Sequence, residues 1–335
     1  MFKICTSNSP PSAICKTLPA SKKNTTMLKF KLTLFSCFFL INVFGQKMEV
    51  VFLDQTDSTR NNYTIIYPDN KPITGLIFII PGFGQSAERT LEQTDLPIKT
   101  AEKGLLTIIP TLQDGVQSFG VDDLSQESLN NIIQDVTNKH KLSGLPFFIG
   151  GFSIGGSCAI KYAQNAKVKP VAVFAVDPPL DFERFYNSSK RDIRLSLDRE
   201  PSQENVYMVE RIEKEFNGTP ETSLSNFYAI SPYSFSDHNQ TAVKRFGNIP
   251  LRIYTEPDVD WWLKERDFDF SNINGPDCSA MINELNRLGN NKAELIVTNN
   301  KGYRKPYNNR HPHSWSIVDN DDLLIWLIEQ KEASR

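Results

Sequence analysis

A serine framed by glycines stands where an apolar run gives way to a helix-like pattern. The pentapeptide GFSIG at residues 151–155 follows the apolar run 146–149, and small and apolar residues then recur at helical spacing. A strand, a sharp turn and a helix in that order expose a serine hydroxyl beside the free N–H groups of the helix start. Such a hydroxyl can attack a carbonyl carbon, and the N–H groups can bind the oxyanion that forms. The pattern therefore predicts nucleophilic chemistry at Ser153.

A serine nucleophile needs a base within hydrogen-bond reach, and the chain has only four histidines. His140 lies in a charged stretch at a helix end, and His238 lies at the far end of a long insertion. His311 and His313 remain, in the loop before the last helix. We favour His313 as the base because it lies nearer that helix. His311 is the alternative base, or else a residue that contacts the substrate.

The base in turn needs a carboxylate that orients it. Asp258 is the favoured acid because it lies just past the strand 251–254, where the strand end can meet the histidine loop. Asp177, which follows the strand 171–176, is a second candidate, since a neighbouring strand can also deliver the acid. Glu256 and Asp260 are further candidates whose carboxylates loop N–H groups can satisfy instead.

We expect no metal ion and no cofactor. His311 and His313 are separated by a single proline, which could suggest a pair of metal ligands. No third ligand with suitable spacing accompanies them, whereas a protein zinc site needs at least three.

Eight apolar runs rich in Val, Ile and Phe predict strands. The first two are closely spaced and predict an antiparallel hairpin, while the later runs alternate with helix-like segments, which predicts a mostly parallel sheet covered on both faces. The predicted strands are 50–53, 63–67, 76–80, 105–109, 147–149, 171–176, 251–254 and 295–297. The predicted helices are 87–102, 125–140, 154–166, 276–288 and 321–331.

One long segment, 182–248, interrupts this alternation between two predicted strands. It contains helix-like pieces and follows the end of a strand. We therefore expect a helical cap insertion that covers the active site as a lid, with an elaboration of the surface as the alternative.

The N-terminal region predicts export. Lys29 and Lys31 precede an apolar stretch over 32–44 and the small residue Gly45, which together are typical of a signal peptide over 27–45. Residues 1–26 are interpreted as an upstream extension without a fold. The mature chain, 46–335, is expected to be secreted or periplasmic, with no stable membrane span after cleavage. It keeps two cysteines, too few for a disulfide framework.

The charge balance excludes one class of partner. A net charge of -2 and an isoelectric point of about 6.1 provide no basic surface for nucleic acid.

The order Ser153, Asp258, His313, the GFSIG turn, the alternation of eight strands and the insertion after the sixth strand together resemble the α/β-hydrolase superfamily. The resemblance covers roughly residues 47–331. It implies an eight-stranded, mostly parallel sheet with helices on both faces and a cap. It also implies that residues 80–84 form an oxyanion loop, with the N–H groups of Phe83 and Ile154 as donors. That loop commonly begins with histidine in the family, and Pro81 stands there in this chain.

The resemblance implies a secreted serine esterase or a peptidase-like member of the superfamily. The favoured function is hydrolysis of a carboxylic ester, small or linked to a carbohydrate, through an acyl-enzyme intermediate. Trp261 and Trp262, just after the favoured acid, are candidate substrate contacts beside His311. Two alternatives stay open, namely a serine peptidase of the same fold and a catalytically silent binding module.

Overall fold

The computed structural model describes residues 46–69, 71–196 and 200–334. The predicted extension 1–26 and the predicted signal peptide 27–45 lie outside the described residues. In the described ranges the strands are β1 Met48–Phe52, β2 Asn62–Ile66, β3 Gly75–Ile80, β4 Leu105–Thr111, β5 Phe147–Phe152, β6 Ala172–Val176, β7 Leu251–Thr255, β8 Ala293–Val297, β9 Tyr303–Arg304 and β10 Asn309–Arg310.

The same ranges contain eleven α-helices. They cover all five predicted regions, one of which is divided in two, and five further segments. They are α1 Ala87–Gln93, α2 Leu96–Glu102, α3 Asp123–Lys139, α4 Ile154–Asn165, α5 Phe182–Leu195, α6 Gln203–Glu215, α7 Pro220–Ile230, α8 Thr241–Phe246, α9 Val259–Arg266, α10 Gly275–Arg287 and α11 Asn320–Ala333, with a 3₁₀ helix at Trp315–Ile317.

Strands β1 to β8 form one sheet in the order β1-β2-β4-β3-β5-β6-β7-β8, and β9 pairs with β10 in a separate hairpin. β1 and β2 are antiparallel, β2 is antiparallel to β4, and every other pair in the large sheet is parallel. The prediction of eight strands, an antiparallel start and a mostly parallel sheet is confirmed. Because parallel strands share a direction, the ends of β3, β5, β6 and β7 meet at one edge.

Both faces of the sheet are buried. Side chains alternate along each strand, so that Phe78 of β3 and Ile149 of β5 pack with α3 and α4, whereas Ile77 and Phe148 pack with α11 on the opposite face. Two apolar layers therefore enclose the sheet. This is why its strands read as continuous apolar runs in the sequence.

The single helix predicted over 87–102 is divided in two. α1 ends at Gln93, and α2 begins after Asp95 with Pro97 in its first turn. Proline has no N–H to donate and fits only the first turn of a helix, so a new helix starts there. The Thr94 hydroxyl accepts a hydrogen bond from Leu96 N–H at 3.2 Å and stabilises the break.

The segment predicted as a cap contains α5 to α8, and these helices differ in position. α8 packs against α4, and its Val243 and Phe246 belong to the main core. α5 and α6 instead contribute Tyr186 and Ile212 to a second apolar cluster with Ile154. The lid function of residues 182–248 stays a prediction.

Among the described helices, none combines the length and the apolar character that crossing a membrane requires.

Candidate active site

Ser153 occupies the turn between β5 and α4 in a strained backbone conformation. Its φ and ψ are 54° and -126°, a region that residues with a side chain rarely adopt. Its N–H donates to Val176 O at 2.8 Å, which attaches the turn to the end of β6. A Cβ atom at Gly155 would lie 2.3 Å from Ile80 O, so only glycine lets α4 pass this close to β3. The turn predicted from GFSIG is thus formed, with Ser153 at its apex.

Asp177, at the end of β6, contacts the imidazole of His313. The distance from its Oδ2 to His313 Nδ1 is 2.6 Å, and its Oδ1 accepts from the Thr255 hydroxyl at 2.7 Å. Because an ionised carboxylate only accepts hydrogen bonds, Nδ1 is the donor, and Nε2 is left as the free acceptor of the ring. The side chain of Asp177 is 10% exposed and that of His313 is 18% exposed. The pair is therefore largely shielded from water.

The backbone of Asp177 is fixed as firmly as its side chain. Its φ is 46°, its N–H donates to Tyr254 O at 2.7 Å, and its carbonyl accepts from the Asn274 amide at 2.8 Å. Elements on both sides of the residue, β7 and the start of α10, thus hold the carboxylate toward the histidine loop.

The prediction that Asp258 is the partner of His313 is wrong. Asp258 Oδ1 accepts from Trp261 N–H at 3.1 Å and caps α9, and Oδ2 accepts from Arg310 Nη2 at 2.5 Å. The physical reason is competition, since a helix start and a guanidinium already occupy both oxygens. The alternative acid weighed from the sequence, Asp177, holds the position at His313.

Glu256 attaches the histidine loop to the end of β7. Its side chain is 1% exposed and pairs with Arg310 Nη1 at 2.7 Å. It also accepts from the N–H groups of Lys301 and Gly302 at 2.8 and 3.1 Å, and from the Thr298 hydroxyl at 3.0 Å. The acidic residues after β7 therefore position the loop that carries His313 and do not contact its imidazole.

His313 packs against the strand that precedes the serine. The centroid of its ring lies 4.5 Å from that of Phe152, which in turn lies 5.5 Å from that of Trp315. Ser153 and His313 are not hydrogen-bonded to each other in the structure, although both face the same cavity. Catalytic hydrogen bonds of this kind are often long without substrate and shorten when it binds.

His311 is buried beside the tryptophans that follow Asp258. Ring centroids of Trp261 and Trp262 lie 4.9 and 5.3 Å from that of His311, and Trp262 also stacks on Phe268. Burial, together with the nearby Arg304, lowers the pKa of His311 to about 2. A base that remains neutral and whose Nδ1 has no hydrogen-bond partner in the described chain is not set up to exchange protons.

Two backbone N–H groups are free near the serine. Ile154 is the first residue of α4, so its N–H has no partner within the helix, and Phe83 lies in the turn after β3. Within the described residues, neither N–H donates to a backbone carbonyl outside the regular elements. A Cβ atom at Gly82 would lie 2.7 Å from the Phe152 ring, so glycine is needed for this approach.

These groups converge on a cavity of about 230 Å³. Ser153, Asp177 and His313 line it together with Phe83 and Ile154, as do Trp262 and His311 among the predicted substrate contacts. Trp261 is not part of the lining and reaches the site through its ring contacts with His311 and Trp262. In the described part of the chain, no group of three or more His, Cys, Asp or Glu side chains is arranged to hold a metal ion.

Sequence reasoning missed the roles of several residues that build this site. Thr255 and Asn274 hold Asp177, Glu256 and Arg310 hold the histidine loop, and the hairpin β9–β10 was not predicted. An arginine in a loop that follows two carboxylates at a strand end is a signal for ion pairs, although its distance along the chain from the two carboxylates hides the contacts.

Comparisons with known proteins place the fold. No family model matches the sequence, and no curated protein matches it. Solved structures do match. An S-formylglutathione hydrolase from Agrobacterium tumefaciens aligns with a TM-score of 0.55 at 14% identity, over 86% of this chain and 96% of that chain. Esterase B from Lactobacillus rhamnosis aligns with a TM-score of 0.57 at 12% identity, over 86% and 87%.

A third structure, a soluble variant of monoglyceride lipase from Saccharomyces cerevisiae, aligns with a TM-score of 0.51 at 14% identity, over 85% of this chain and 96% of that chain. This protein has the α/β-hydrolase fold. In its α/β-hydrolase sheet the carboxylate that contacts the histidine follows β6, and the strand after it supplies the hydroxyl of Thr255.

Proposed function

We propose that the protein is a serine hydrolase that cleaves a carboxylic ester through Ser153, His313 and Asp177. The observation that carries the proposal is the 2.6 Å contact between Asp177 Oδ2 and His313 Nδ1, in the cavity that the strained Ser153 also lines. A nucleophile, a base and a carboxylate that orients the base are the three parts that acyl transfer by a serine requires.

The chemistry follows from these positions. Ser153 Oγ attacks the ester carbonyl while His313 Nε2 takes the hydroxyl proton, and Asp177 stabilises the imidazolium that forms. The N–H groups of Phe83 and Ile154 are the donors for the oxyanion of the tetrahedral intermediate. His313 then gives the proton to the leaving alcohol, which departs and leaves an acyl-serine. A water molecule, deprotonated by His313, attacks the acyl-serine, and the acid leaves with Ser153 restored.

A fluorophosphonate probe tests the mechanism, because it phosphonylates only an activated serine. The wild-type protein is expected to be labelled, and Ser153→Ala is expected not to be. Ser157→Ala is a matched control, since Ser157 lies one turn further along α4 and donates to Pro179 O at 2.5 Å. Absence of labelling of folded wild-type protein, as judged by circular dichroism, would refute the enzyme and favour a binding module.

A substrate panel tests the ester assignment. Acetyl, feruloyl and longer acyl esters are compared with short peptide amides on the same preparation. We expect turnover of esters with kcat/KM at least about 100-fold above that of the amides. Amide turnover that equals or exceeds ester turnover would replace the esterase by a peptidase of the same mechanism.

We also propose that the protein is exported. The support is the order of Lys29 and Lys31, the apolar stretch 32–44 and Gly45, which is typical of a cleaved signal peptide. Expression of the full chain, followed by N-terminal sequencing of the exported protein, is expected to give Gln46 as the first residue. Full-length protein confined to the cytoplasm would refute it.

A further inference from the structure

Two arginines that line the catalytic cavity, half-buried Arg304 and exposed Arg266, have no acidic partner among the described residues. Arg266 ends α9 and Arg304 ends β9, and both line the cavity that contains Ser153. Among the described residues, no carboxylate lies within 4 Å of either guanidinium. Elsewhere the rule is pairing, because the largely shielded guanidinium groups of Arg184, Arg211, Arg252 and Arg310 each have an acidic partner.

The guanidinium of Arg304 is oriented and only partly satisfied. Its Nε and Nη2 atoms donate to His313 O at 3.3 and 3.0 Å, which fixes the plane of the group beside the catalytic loop. A guanidinium has five N–H donors, so the Nη1 pair and one further N–H remain for another acceptor. A fixed planar fork with free donors is the geometry that binds a carboxylate through two parallel hydrogen bonds.

The electrostatic surroundings also favour an anion. Burial, followed by the charge of Arg266, lowers the pKa of Arg304, while Glu204 opposes that effect. Glu204 lies on α6 and is exposed. The other carboxylate that lines this cavity, Asp177, is already occupied by His313 and Thr255. Positive charge in this part of the cavity is therefore only partly offset, by Glu204, which also lines the cavity.

We infer that Arg304 and Arg266 bind a carboxylate of the substrate, so that the natural ester is an acidic one. This inference rests on the proposed ester hydrolysis at Ser153 and specifies its substrate class. The carboxylate belongs either to the acyl part or to the alcohol part of the ester, and the experiment distinguishes these two.

Two matched pairs of esters test the inference. The first pair carries the charge on the acyl part, 4-nitrophenyl hemiadipate against 4-nitrophenyl hexanoate. The second pair carries it on the leaving group, 4-acetoxybenzoate against its methyl ester. We expect kcat/KM for the acidic member of one pair to exceed that of the neutral member by about 10- to 100-fold, the range of hydrogen bonds to a charged group. The advantage is expected to shrink as salt is added.

Variants assign the effect to the arginines. Arg304→Gln is expected to remove most of the advantage, and Arg266→Gln, at an exposed position without hydrogen bonds to the catalytic loop, a smaller part of it. Because Arg304 also contacts His313 O, the readout is the ratio of acidic to neutral turnover and not the turnover itself. Lys264→Gln removes the same charge from α9, where Lys264 is 82% exposed and pairs with Glu265, and is expected to keep the wild-type ratio.

The outcomes separate this inference from the proposed function. Neutral esters turned over without preference for the acidic member of either pair, or a preference that survives both arginine variants, would overturn the inference alone. No turnover of any ester and no fluorophosphonate labelling would overturn the proposed function with it.

Discussion

The carboxyl ends of β6 and β7 both carry acidic residues, yet only one of them contacts the imidazole. After β6, Asp177 stands alone in a positive-φ conformation, and its Oδ2 meets His313 at 2.6 Å. After β7, Glu256 and Asp258 form a pair of carboxylates on Arg310. A carboxylate at a strand end can therefore contact the histidine or hold the histidine loop in place, and the groups around the carboxylate determine which it does.

The difference shows how the site divides its tasks. The end of β7 holds the histidine loop by charge, and it also supplies the Thr255 hydroxyl that orients Asp177. The end of β6 presents one carboxylate whose only ionic partner in the described chain is the histidine. Because the two strand ends contact the same loop from two sides, substitutions at each end should have different effects on activity and stability.

Exchanging the two aspartates for asparagine gives the largest contrast. Asp177→Asn removes the charge that stabilises the imidazolium and permits the wrong tautomer, so kcat should fall by about 1,000- to 10,000-fold. Asp258→Asn keeps an oxygen to cap α9 and leaves Glu256 on Arg310, so kcat should change by less than about 10-fold. Both are measured on a chromogenic ester, with circular dichroism as a control for folding. A greater loss for Asp258→Asn would restore it as the acid.

Removing the charge of Glu256 should affect stability more than chemistry. Glu256→Gln weakens a buried ion pair and two N–H bonds, so the free energy of unfolding should fall by about 2 to 3 kcal/mol, with a loss of kcat near 10-fold as the histidine loop loosens. Urea denaturation measures the first and ester turnover the second. Glu294→Gln is the control, since its pair with Arg252 is 46% exposed on the acid side and should contribute less than about 1 kcal/mol.

The smallest effect concerns His311, which packs on the helix after β7. Its pKa in the folded protein is about 2, whereas an unfolded histidine has a pKa near 6.5. Below pH 6.5 the unfolded chain therefore binds a proton that the folded protein refuses, so stability falls with falling pH and is unaffected above that value. The difference in unfolding free energy between wild type and His311→Gln should shift against the wild type between pH 7 and 5.

Exposed His238 provides the control for this experiment, because His238→Gln removes an imidazole that is in contact with water. If the unfolding free energy depends on pH in the same way in the wild type and in both variants, His311 takes up its proton at the same pH in the folded and the unfolded protein. The surroundings of His311 would then be more polar than its burial beside the helix after β7 indicates.

The sheet and the serine could be predicted from the sequence because local patterns encode them. Strands buried on both faces require unbroken apolar residues, and GFSIG encodes a turn that tolerates little else. The division of helix 87–102 was also encoded, by Pro97, but its apolar spacing continued across the break and concealed it. α9 was missed because it has no buried residue and hence no apolar stripe.

The acid could not be chosen from the sequence for a different reason. Asp177 and Asp258 both follow strands of one sheet, so position along the chain is equally suitable for each. What separates them is Arg310, 52 residues beyond Asp258, and the left-handed backbone at Asp177. Neither a long-range ion pair nor a single φ angle leaves a periodic trace in a sequence.

The hydrogen bonds from Ser153 N–H to Val176 O and from Asp177 N–H to Tyr254 O are successive rungs across three adjacent strands. Neighbouring strands lie about 4.8 Å apart, so the sheet itself fixes the spacing of Ser153 and Asp177. His313, in contrast, lies on a loop. Two of the three proposed triad residues are therefore held by backbone hydrogen bonds to neighbouring strands, so heating or substitution should misalign His313 first.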